Sequence, residues 1–298
     1  MIRKSMKKVA RMLGSLTDET ELLALGAMLS KQQWSMQSND INDYEFKIFS
    51  QFGDDGITQY LIKQVPIENK AFIEFGVGDY LESNTRFLMM NDNWSGFIMD
   101  GLEDAINSVK NQLWYWKYDL AAKAVFIDRD NINHLLAETG FANIGLLHID
   151  IDGNDYHILE KIDLAELNPA ILIMEYNSVF GAERAIVVPY RKDFDRTKAH
   201  HSNLYYGASL AAMEHLARRK GYALVGSNIA GNNAFFVRRD LLSERVKEVS
   251  VKSAYKESKF RESRNPDYSL SFLAGNERSS AIKGLEVVNV LTDQKEKL

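Results

Sequence analysis

The sequence predicts an α/β fold: a Rossmann-like, doubly wound and mostly parallel sheet, with an antiparallel hairpin at the C-terminal edge and an added N-terminal helical segment. Short apolar segments alternate with helical patterns between about residues 49 and 240. Two of these segments, IGLLHIDI and AILIMEY, are almost continuously apolar, as expected for strands that are covered on both faces. The series begins with FIEFGVGD, a strand that leads directly into a glycine-rich turn.

Strands and helices are predicted in alternation along this region. The predicted strands are Ala71–Phe75, Gly96–Asp100, Lys123–Ile127, Ile144–Ile151, Ala170–Tyr176, Tyr222–Gly226 and Ala234–Arg238. The predicted helices are Asn84–Asn91, Leu102–Asn111, Asn131–Thr139, Tyr156–Lys161 and Ala208–Lys220. Only a turn-rich stretch, residues 227–233, separates the last two strands, and this predicts an antiparallel hairpin.

Two appendages flank the α/β domain, which we place at residues 43–240. Residues 1–42 form a helical leader with a basic N-terminal end. The leader either packs on the domain as an α-hairpin or presents a basic amphipathic helix to an anionic membrane or a partner protein. Residues 241–298 are polar and charged, and they predict a peripheral helix and a partly mobile tail.

Composition excludes several classes of protein. The 298 residues include no cysteine, so disulfides, thiolate nucleophiles and cysteine-ligated metals are excluded. A formal net charge of −5 argues against nucleic-acid binding. No apolar run reaches the roughly 20 residues of a membrane span, and the basic N-terminus lacks the apolar region of a secretory signal. We expect a cytoplasmic protein whose only membrane contact would be peripheral, and a homo-oligomer is compatible with the sequence.

The glycine-rich turn indicates the kind of ligand. Gly76 and Gly78 follow the strand that carries Glu74, and Asp100 ends the next apolar run. Such a turn lets the backbone approach a nucleotide-like ligand, and a carboxylate can accept hydrogen bonds from both hydroxyls of a ribose. Leu81 occupies the place of the third glycine in the dinucleotide fingerprint, which disfavours a nicotinamide cofactor. The simpler alternative is a tight turn followed by a helix cap.

This pattern resembles the cofactor motif of class I S-adenosylmethionine-dependent methyltransferases. The resemblance implies that the glycine turn lies under the methionine part of S-adenosylmethionine and that the acidic residue ending the second strand accepts from the ribose. The cofactor contacts predicted on this basis are Glu74, Gly76, Gly78, Asp100, Gly101 and Asp128.

A longer series of motifs resembles the FkbM-like methyltransferases over roughly residues 49–239. In order, these are SQFGDDG, FIEFGVGDYLESNTRFL, GFIMDG, LLHIDIDGNDYHILE and ILIMEYN. The resemblance implies methyl transfer to a hydroxyl, commonly on a sugar, as in polysaccharide biosynthesis. The segment Ile151–Asp155 departs from the D-x-E-G-x-E type of motif, which leaves the acceptor open.

Acidic residues and a histidine follow the predicted central strand. His148, Asp150 and Asp152 share one side of that strand because side chains alternate, and ligands bind at the carboxyl ends of parallel strands. We predict these three as catalytic residues that take the proton of the acceptor hydroxyl, with His157 as a fourth candidate. The simpler alternative for His148 is a buried core histidine.

A metal site is the second interpretation of the same segment. Asp150, Asp152 and Glu175, with Asn177, would supply the oxygen ligands that Mg²⁺ prefers. Asp155 either joins this cluster or caps the following helix.

A long polar segment, Val188–Tyr206, predicts the character of the acceptor. Its basic residues are Arg191, Lys192, Arg196, Lys198, His200 and His201. They would suit an anionic acceptor such as a nucleotide-sugar or a phosphorylated glycan, unless the segment is a solvated loop. Two other functions stay open: an NAD(P)-dependent α/β oxidoreductase, and a non-catalytic methyltransferase-like interaction module.

Overall fold

Two sheets organise the computed structural model, which describes residues 19–298. The strands, in chain order, are β1 (Asn69–Phe75), β2 (Ser95–Asp100), β3 (Leu120–Ala124), β4 (Ile144–Ile149), β5 (Ile171–Glu175), β6 (Ile186–Val187), β7 (Tyr222–Ser227), β8 (Asn233–Arg238), β9 (Glu286–Asn289) and β10 (Gln294–Lys297). The central sheet has seven strands in the order β3-β2-β1-β4-β5-β8-β7, and the smaller sheet has the order β10-β9-β6.

The central sheet is parallel from β3 through β5 and ends in an antiparallel hairpin. β8 pairs antiparallel with both β5 and β7, whereas the other neighbours pair in parallel. The predicted fold class and the predicted hairpin at the C-terminal edge are therefore confirmed. The strand order reverses between β1 and β4, and in open α/β sheets ligands bind at the carboxyl ends of the strands beside such a reversal.

Helices cover both faces of the central sheet. They are α1 (residues 19–32), α2 (Asp54–Gln64), α3 (Arg86–Asp92), α4 (Glu103–Lys110), α5 (Ile132–Glu138), α6 (Asp155–Lys161), α7 (Arg196–Ala199), α8 (Leu210–Arg219), α9 (Val251–Ala254) and α10 (Asn276–Ala281). Successive strand residues enter opposite cores: Ile73 and Leu147 lie in one, and Phe72 and Leu146 in the other. Burial on both faces explains the continuous apolar runs of β4 and β5.

The third strand lies three residues earlier than predicted. It spans Leu120–Ala124, in register with β2 through the pair Gly96 and Leu120, instead of Lys123–Ile127. Leu120 and Ala122 are the residues that enter the core. The apolar residues that follow belong to a loop, in which Phe126 is exposed. Helix α2 and the smaller sheet were not predicted from the sequence.

The segment after residue 240 contains the short helices α9 and α10, and it also contains two strands that the sequence did not predict. β9 pairs antiparallel with β6, and β10 completes a hairpin with β9. Ile282 and Val287 are buried in a small core together with Ile186 and Leu204. Too few apolar residues stand in this polar stretch to give a periodic signal, and several of them, such as Tyr268 and Leu291, are exposed. The domain limits at residues 42 and 240 stay a prediction.

The second half of the leader packs on the domain. Gly26 of α1 lies against Phe87 and Ile48, and Glu19 forms an ion pair with the buried Arg86. The described half of the leader therefore packs on the domain, and the two alternatives for the whole leader stay predictions. Residues 1–18, which carry the basic end and the first predicted helical pattern, lie outside the described residues. Within residues 19–298, no helix has the length and apolar character needed to cross a membrane.

Candidate active site

Two adjoining clefts open at the carboxyl ends of the parallel strands, beside the reversal between β1 and β4. The polar cleft has a volume of about 370 Å³. The larger cleft has a volume of about 600 Å³ and lies toward β2 and the loop after β3. The residues that line both clefts are Gly76, Gly78, Asp150, Asp152 and Arg196. The glycine turn and the acidic segment predicted from the sequence therefore meet where the two clefts join.

The two glycines of the turn have different reasons to be glycine. Both have a positive φ, +71° at Gly76 and +51° at Gly78. A Cβ at Gly76 would overlap the carbonyl oxygen of Asp150, so this glycine lets the ends of β1 and β4 approach each other. A Cβ at Gly78 would meet no protein atom within 4 Å. Gly78 therefore keeps open the space over the turn where the clefts join.

Asp100 orders the turn and faces the larger cleft. The backbone N–H of Gly78 donates to its Oδ2 at 2.7 Å, and that of Leu102 donates to its Oδ1 at 2.7 Å. Each carboxylate oxygen keeps a lone pair for a further donor. Gly101 also lines this cleft, and the exposed apolar side chains of Leu102 and Phe126 lie beside the carboxylate. An acceptor beside an apolar slot suits a ribose joined to a flat base.

Asp128 does not line either cleft, contrary to the prediction that it contacts a cofactor. Its carboxylate lies 3.0 Å from Lys192 Nζ. Its Oδ1 accepts hydrogen bonds from the backbone N–H groups of Asp130 and Asn131, just before α5. The cause is the shift of β3: because the strand ends at Ala124, Asp128 belongs to the turn that precedes α5 and not to the strand end.

Glu74 and His148 form a buried pair across the β1–β4 boundary. They are register partners, and Glu74 Oε1 lies 2.8 Å from His148 Nδ1. Burial alone would raise the pKa of Glu74, but the hydrogen bond and charge of His148 and the hydroxyls of Thr85 and Ser83 outweigh it, so the pKa lies below its usual value. Burial alone would lower the pKa of His148, but Glu74 outweighs it and the pKa is raised.

His148 is poorly placed to act as the predicted catalytic base. Its second ring nitrogen, Nε2, lies 3.1 Å from the side-chain amide of Asn84, so both nitrogens have partners. Neither ring nitrogen is therefore left for the proton of an acceptor hydroxyl. Glu74 also accepts from the backbone N–H of Asn84 at 2.9 Å. The pair therefore holds the loop after the glycine turn against the end of β4.

Asp150 is the predicted catalytic residue with a free carboxylate. Its side chain makes no hydrogen bond or ion pair with any of residues 19–298 in this structure. Burial, reinforced by the charge of Asp152, raises its pKa to about 7, although the His148 charge opposes this. A general base is most effective when its pKa lies near the working pH. Asp150 lines both clefts, so it could reach a group bound in either.

Asp152 is committed to Arg196. The two side chains form an ion pair at 2.7 Å, and Asp152 stands at a positive φ of +57°. The same guanidinium binds Glu262 at 2.9 Å and lies over the ring of Tyr206 at 4.2 Å. Asp152 therefore forms part of the wall between the clefts. Its carboxylate has an ion-pair partner, whereas the Asp150 carboxylate has none among residues 19–298.

The carboxylates that converge differ from the predicted metal set. Oxygen atoms of Asp150, Asp155 and Glu175 lie within 4.8 Å of one another, so Asp155 stands where Asp152 was predicted. Both Asp155 oxygens already accept backbone hydrogen bonds, from Ile151 at 2.7 Å and from Gly153 at 2.9 Å. Asp155 thus fixes the turn between β4 and α6. It is the first residue of α6 and not its N-cap, because Asn154 occupies that position.

Glu175 is buried without a partner. Its side chain lines the polar cleft, only 7% of the residue is exposed, and its Oε2 has no hydrogen bond. Burial, together with the negative charge of Asp150, raises its pKa well above the usual value. Asn177, the fourth predicted ligand, is used elsewhere, because its amide nitrogen donates to the carbonyls of Leu204 and Tyr206.

The basic residues of the 188–206 segment are largely neutralised by carboxylates. Lys192 pairs with Asp128 and Asp130, Arg191 with Asp193, and Lys198 with Asp195. Arg196 lies between Asp152 and Glu262. His157, the fourth catalytic candidate, is buried with its Nε2 at 2.8 Å from the carbonyl of Val188. These contacts do not provide the free cations that the predicted anionic acceptor requires.

Sequence reasoning missed a group of amide side chains on the polar cleft. Asn84 follows the glycine turn, whereas Asn232 ends the turn before β8 and Asn233 is the first residue of β8. The sequence analysis took residues 227–233 only as a hairpin turn. The run of asparagines there was the available signal, but its position beside Glu175 depends on the pairing of β8 with β5.

Comparisons with known proteins give weak matches. No family model and no curated protein matches the chain. An O-methyltransferase from Bacillus cereus in complex with S-adenosylhomocysteine is 11% identical, with 74% of this chain and 89% of that chain covered and a TM-score of 0.43. The S-adenosylhomocysteine-bound N-terminal domain of EvdMO1 is 11% identical, with 63% and 80% covered and a TM-score of 0.40.

A third solved structure, M. capricolum TrmK in complex with S-adenosylhomocysteine, is 10% identical. The match covers 65% of this chain and 73% of the TrmK chain, with a TM-score of 0.38. Similarity at this level carries no conclusion about function. The function must therefore be inferred from the residues of this chain.

Proposed function

We propose that this protein is an S-adenosylmethionine-dependent O-methyltransferase that acts on a hydroxyl of a sugar or glycan. The observation that carries the proposal is the position of Asp150. This free carboxylate, with a pKa of about 7, lies where a cleft suited to a nucleoside meets a polar cleft. A base at such a junction can take a proton from a group in one cleft while that group attacks a group held in the other.

The larger cleft fits the cofactor. Asp100 offers a lone pair on each oxygen to the two ribose hydroxyls, and Leu102 and Phe126 offer apolar surface to the adenine. The open space above Gly78 accommodates a ligand that crosses from one cleft to the other. When bound, S-adenosylmethionine supplies an electrophilic methyl group on a sulfonium.

The residues of the chain supply orientation and proton removal. Asp150 accepts the proton of the acceptor hydroxyl as the hydroxyl attacks, in the way expected of a general base. Arg196 holds Asp152 in the wall beside it. Glu74 and His148 act as positioning residues, because they fix the glycine turn relative to the end of β4.

The finer parts of the proposal rest on the FkbM-like resemblance. It supports a sugar or glycan acceptor and a role in polysaccharide biosynthesis, in the cytoplasm or at a membrane surface reached through the basic leader. The ion pairs of the 188–206 segment favour an acceptor without a phosphate over a nucleotide-sugar. Contact of the leader with a membrane or a partner protein, and homo-oligomer formation, stay proposals from the sequence.

We propose that methyl transfer does not require Mg²⁺, and the alternative is that transfer depends on a bound Mg²⁺ ion. Asp155 uses both carboxylate oxygens on backbone N–H groups, which leaves Asp150 and Glu175 as carboxylates with a free oxygen in the converging group. Mg²⁺ takes six ligands and is often held by one or two carboxylates with several waters, so the proposal rests on the engagement of Asp155 and not on the number of carboxylates. Treatment with EDTA separates the two: unchanged methyl transfer supports the proposal, and loss restored by Mg²⁺ supports the alternative.

Calorimetry with S-adenosylhomocysteine tests the cofactor assignment. We expect binding by the full chain and at least about tenfold weaker binding by Asp100→Asn, since a hydrogen bond to a charged group contributes roughly 1.5–3 kcal/mol. The matched control is Asp104→Asn, an exposed carboxylate on α4. Binding of NADH in place of S-adenosylhomocysteine would support the oxidoreductase alternative. Binding of neither would support the non-catalytic module.

A further inference from the structure

Two buried hydrogen-bond acceptors without partners stand side by side in the polar cleft. Glu175 ends β5, Asn233 begins β8, and the two are register partners in the antiparallel pair. Their exposed fractions are 7% and 3%. Glu175 Oε2 and Asn233 Oδ1 each lack a hydrogen bond, and both residues line the cleft. Buried polar atoms in native proteins normally have partners, so this pair indicates a ligand.

The orientation of the Asn233 amide is fixed by its neighbour. Its Nδ2 donates to Asp54 Oδ1 at 3.0 Å, and the buried Asp54 carboxylate also accepts from Asn228 Nδ2. Because a carboxylate accepts from amide N–H groups, the opposite orientation would place two oxygens against each other. Asn233 therefore presents its oxygen to the ligand, and the missing partner must be a hydrogen-bond donor.

The charge around the pair favours a cationic donor. Asp150 lines the same cleft without a partner. The cations there are engaged: Arg196 binds Asp152 and Glu262, and His148 lies against Glu74. A phosphate or carboxylate would meet no free cation, whereas an ammonium would bring three N–H donors and a positive charge that favours the ionised form of Glu175 over the protonated form favoured by burial.

We propose that Glu175 and Asn233 bind a protonated primary amine on the methyl acceptor, so that the acceptor is an amino sugar or a related amino alcohol. This inference rests on the proposed methyltransferase function and narrows its substrate class. The ammonium donates to Glu175 Oε2 and Asn233 Oδ1, and a neighbouring hydroxyl of the same molecule lies toward Asp150. The pair thus sets which hydroxyl meets the base.

The experiment compares four probes that differ in one group. The full chain, saturated with S-adenosylhomocysteine in buffer with EDTA, is titrated at pH 7 with glucosamine, glucose, N-acetylglucosamine and glucose 6-phosphate, and binding is followed by ligand-observed NMR. We expect glucosamine to bind at least tenfold more tightly than the other three. Acetylation removes the charge and two of the three N–H donors, and the phosphate adds charge of the wrong sign.

Variants assign the preference to the pair. In Glu175→Gln, the preference for glucosamine over glucose should fall to threefold or less, and in Asn233→Ala it should fall by at least threefold. Glu166→Gln, at an exposed glutamate outside both clefts, should keep it. Thermal melting checks that each variant is folded. If Asn233→Ala does not fold, the binding preference of Glu175→Gln decides the test.

The outcomes separate this inference from the function on which it rests. Equal binding of the four probes, preference for glucose 6-phosphate, or no detectable glucosamine binding would overturn the inference. If S-adenosylhomocysteine binds and glucosamine is not preferred, only the acceptor class is wrong. If S-adenosylhomocysteine does not bind, the methyltransferase proposal fails.

Discussion

Replacement of Asp150 by Asn should remove the base while it keeps the shape of the site. A general base contributes roughly 10²–10⁴ to the rate, so kcat should fall by at least about a hundredfold. The affinity for S-adenosylhomocysteine should stay within about threefold, because the residues assigned to the ribose and adenine are untouched. The effect should thus lie almost entirely in the rate of methyl transfer.

The pH dependence follows from the pKa of about 7 for Asp150. At pH 6 only about a tenth of such a group is ionised, and above pH 8 it is almost fully ionised. Wild-type kcat/KM should therefore rise about tenfold per pH unit below pH 7 and level off above it. Asp150→Asn should lose this limb of the profile.

The assay follows transfer of labelled methyl from S-adenosylmethionine to the best acceptor in a panel of sugars and glycans. Asp104→Asn is the control, because it removes an exposed carboxylate of the same type from α4. A fall in kcat of less than tenfold for Asp150→Asn, or an unchanged acid limb, would refute the assignment of Asp150 as the base.

Three further predictions concern the architecture around this base. Gly76→Ala should lower Tm, because the new Cβ would overlap the Asp150 carbonyl. Gly78→Ala should leave Tm within a few degrees and weaken S-adenosylhomocysteine binding at least tenfold. The reverse pattern would contradict the roles given to the two glycines. Glu74→Gln should cost about 3 kcal/mol in urea unfolding, because it leaves a buried imidazolium without its charge partner. That deficit should be largest between the lowered pKa of Glu74 and the raised pKa of His148, and a deficit that grows in acid would contradict it. Asp150→Asn should raise Tm more at pH 8 than at pH 5, because a carboxyl whose folded pKa is raised loses stability as it ionises; equal shifts at both pH values would count against burial as the cause.

The fold was predictable because its signals are local. Continuous apolar runs mark β4 and β5, and the glycine turn marks the end of β1. Those signals do not fix register. The residue types of Lys123–Ile127 predict a strand, but the pairing with β2 puts the strand at Leu120–Ala124. Asp128 then lies beyond the strand end and outside the site.

The site was predictable only in part, for the same reason. Asp150 stands out because it follows the central strand, and Asp100 because it ends the next strand after the glycine turn. The contacts of the neighbouring carboxylates depend on the tertiary structure. Arg196 forms an ion pair with Asp152, and backbone N–H groups donate to Asp155. Asn233 meets Glu175 only through the antiparallel pairing of β8, which no short-range pattern specifies.

A crystal structure of the full chain with S-adenosylhomocysteine tests the central claim most directly. We predict the ribose hydroxyls on the Asp100 carboxylate, the adenine between Leu102 and Phe126, and the sulfur above Gly78, facing Asp150 and the polar cleft. A ligand bound away from the Gly76–Gly78 turn, or one whose sulfur faces away from Asp150, would contradict it.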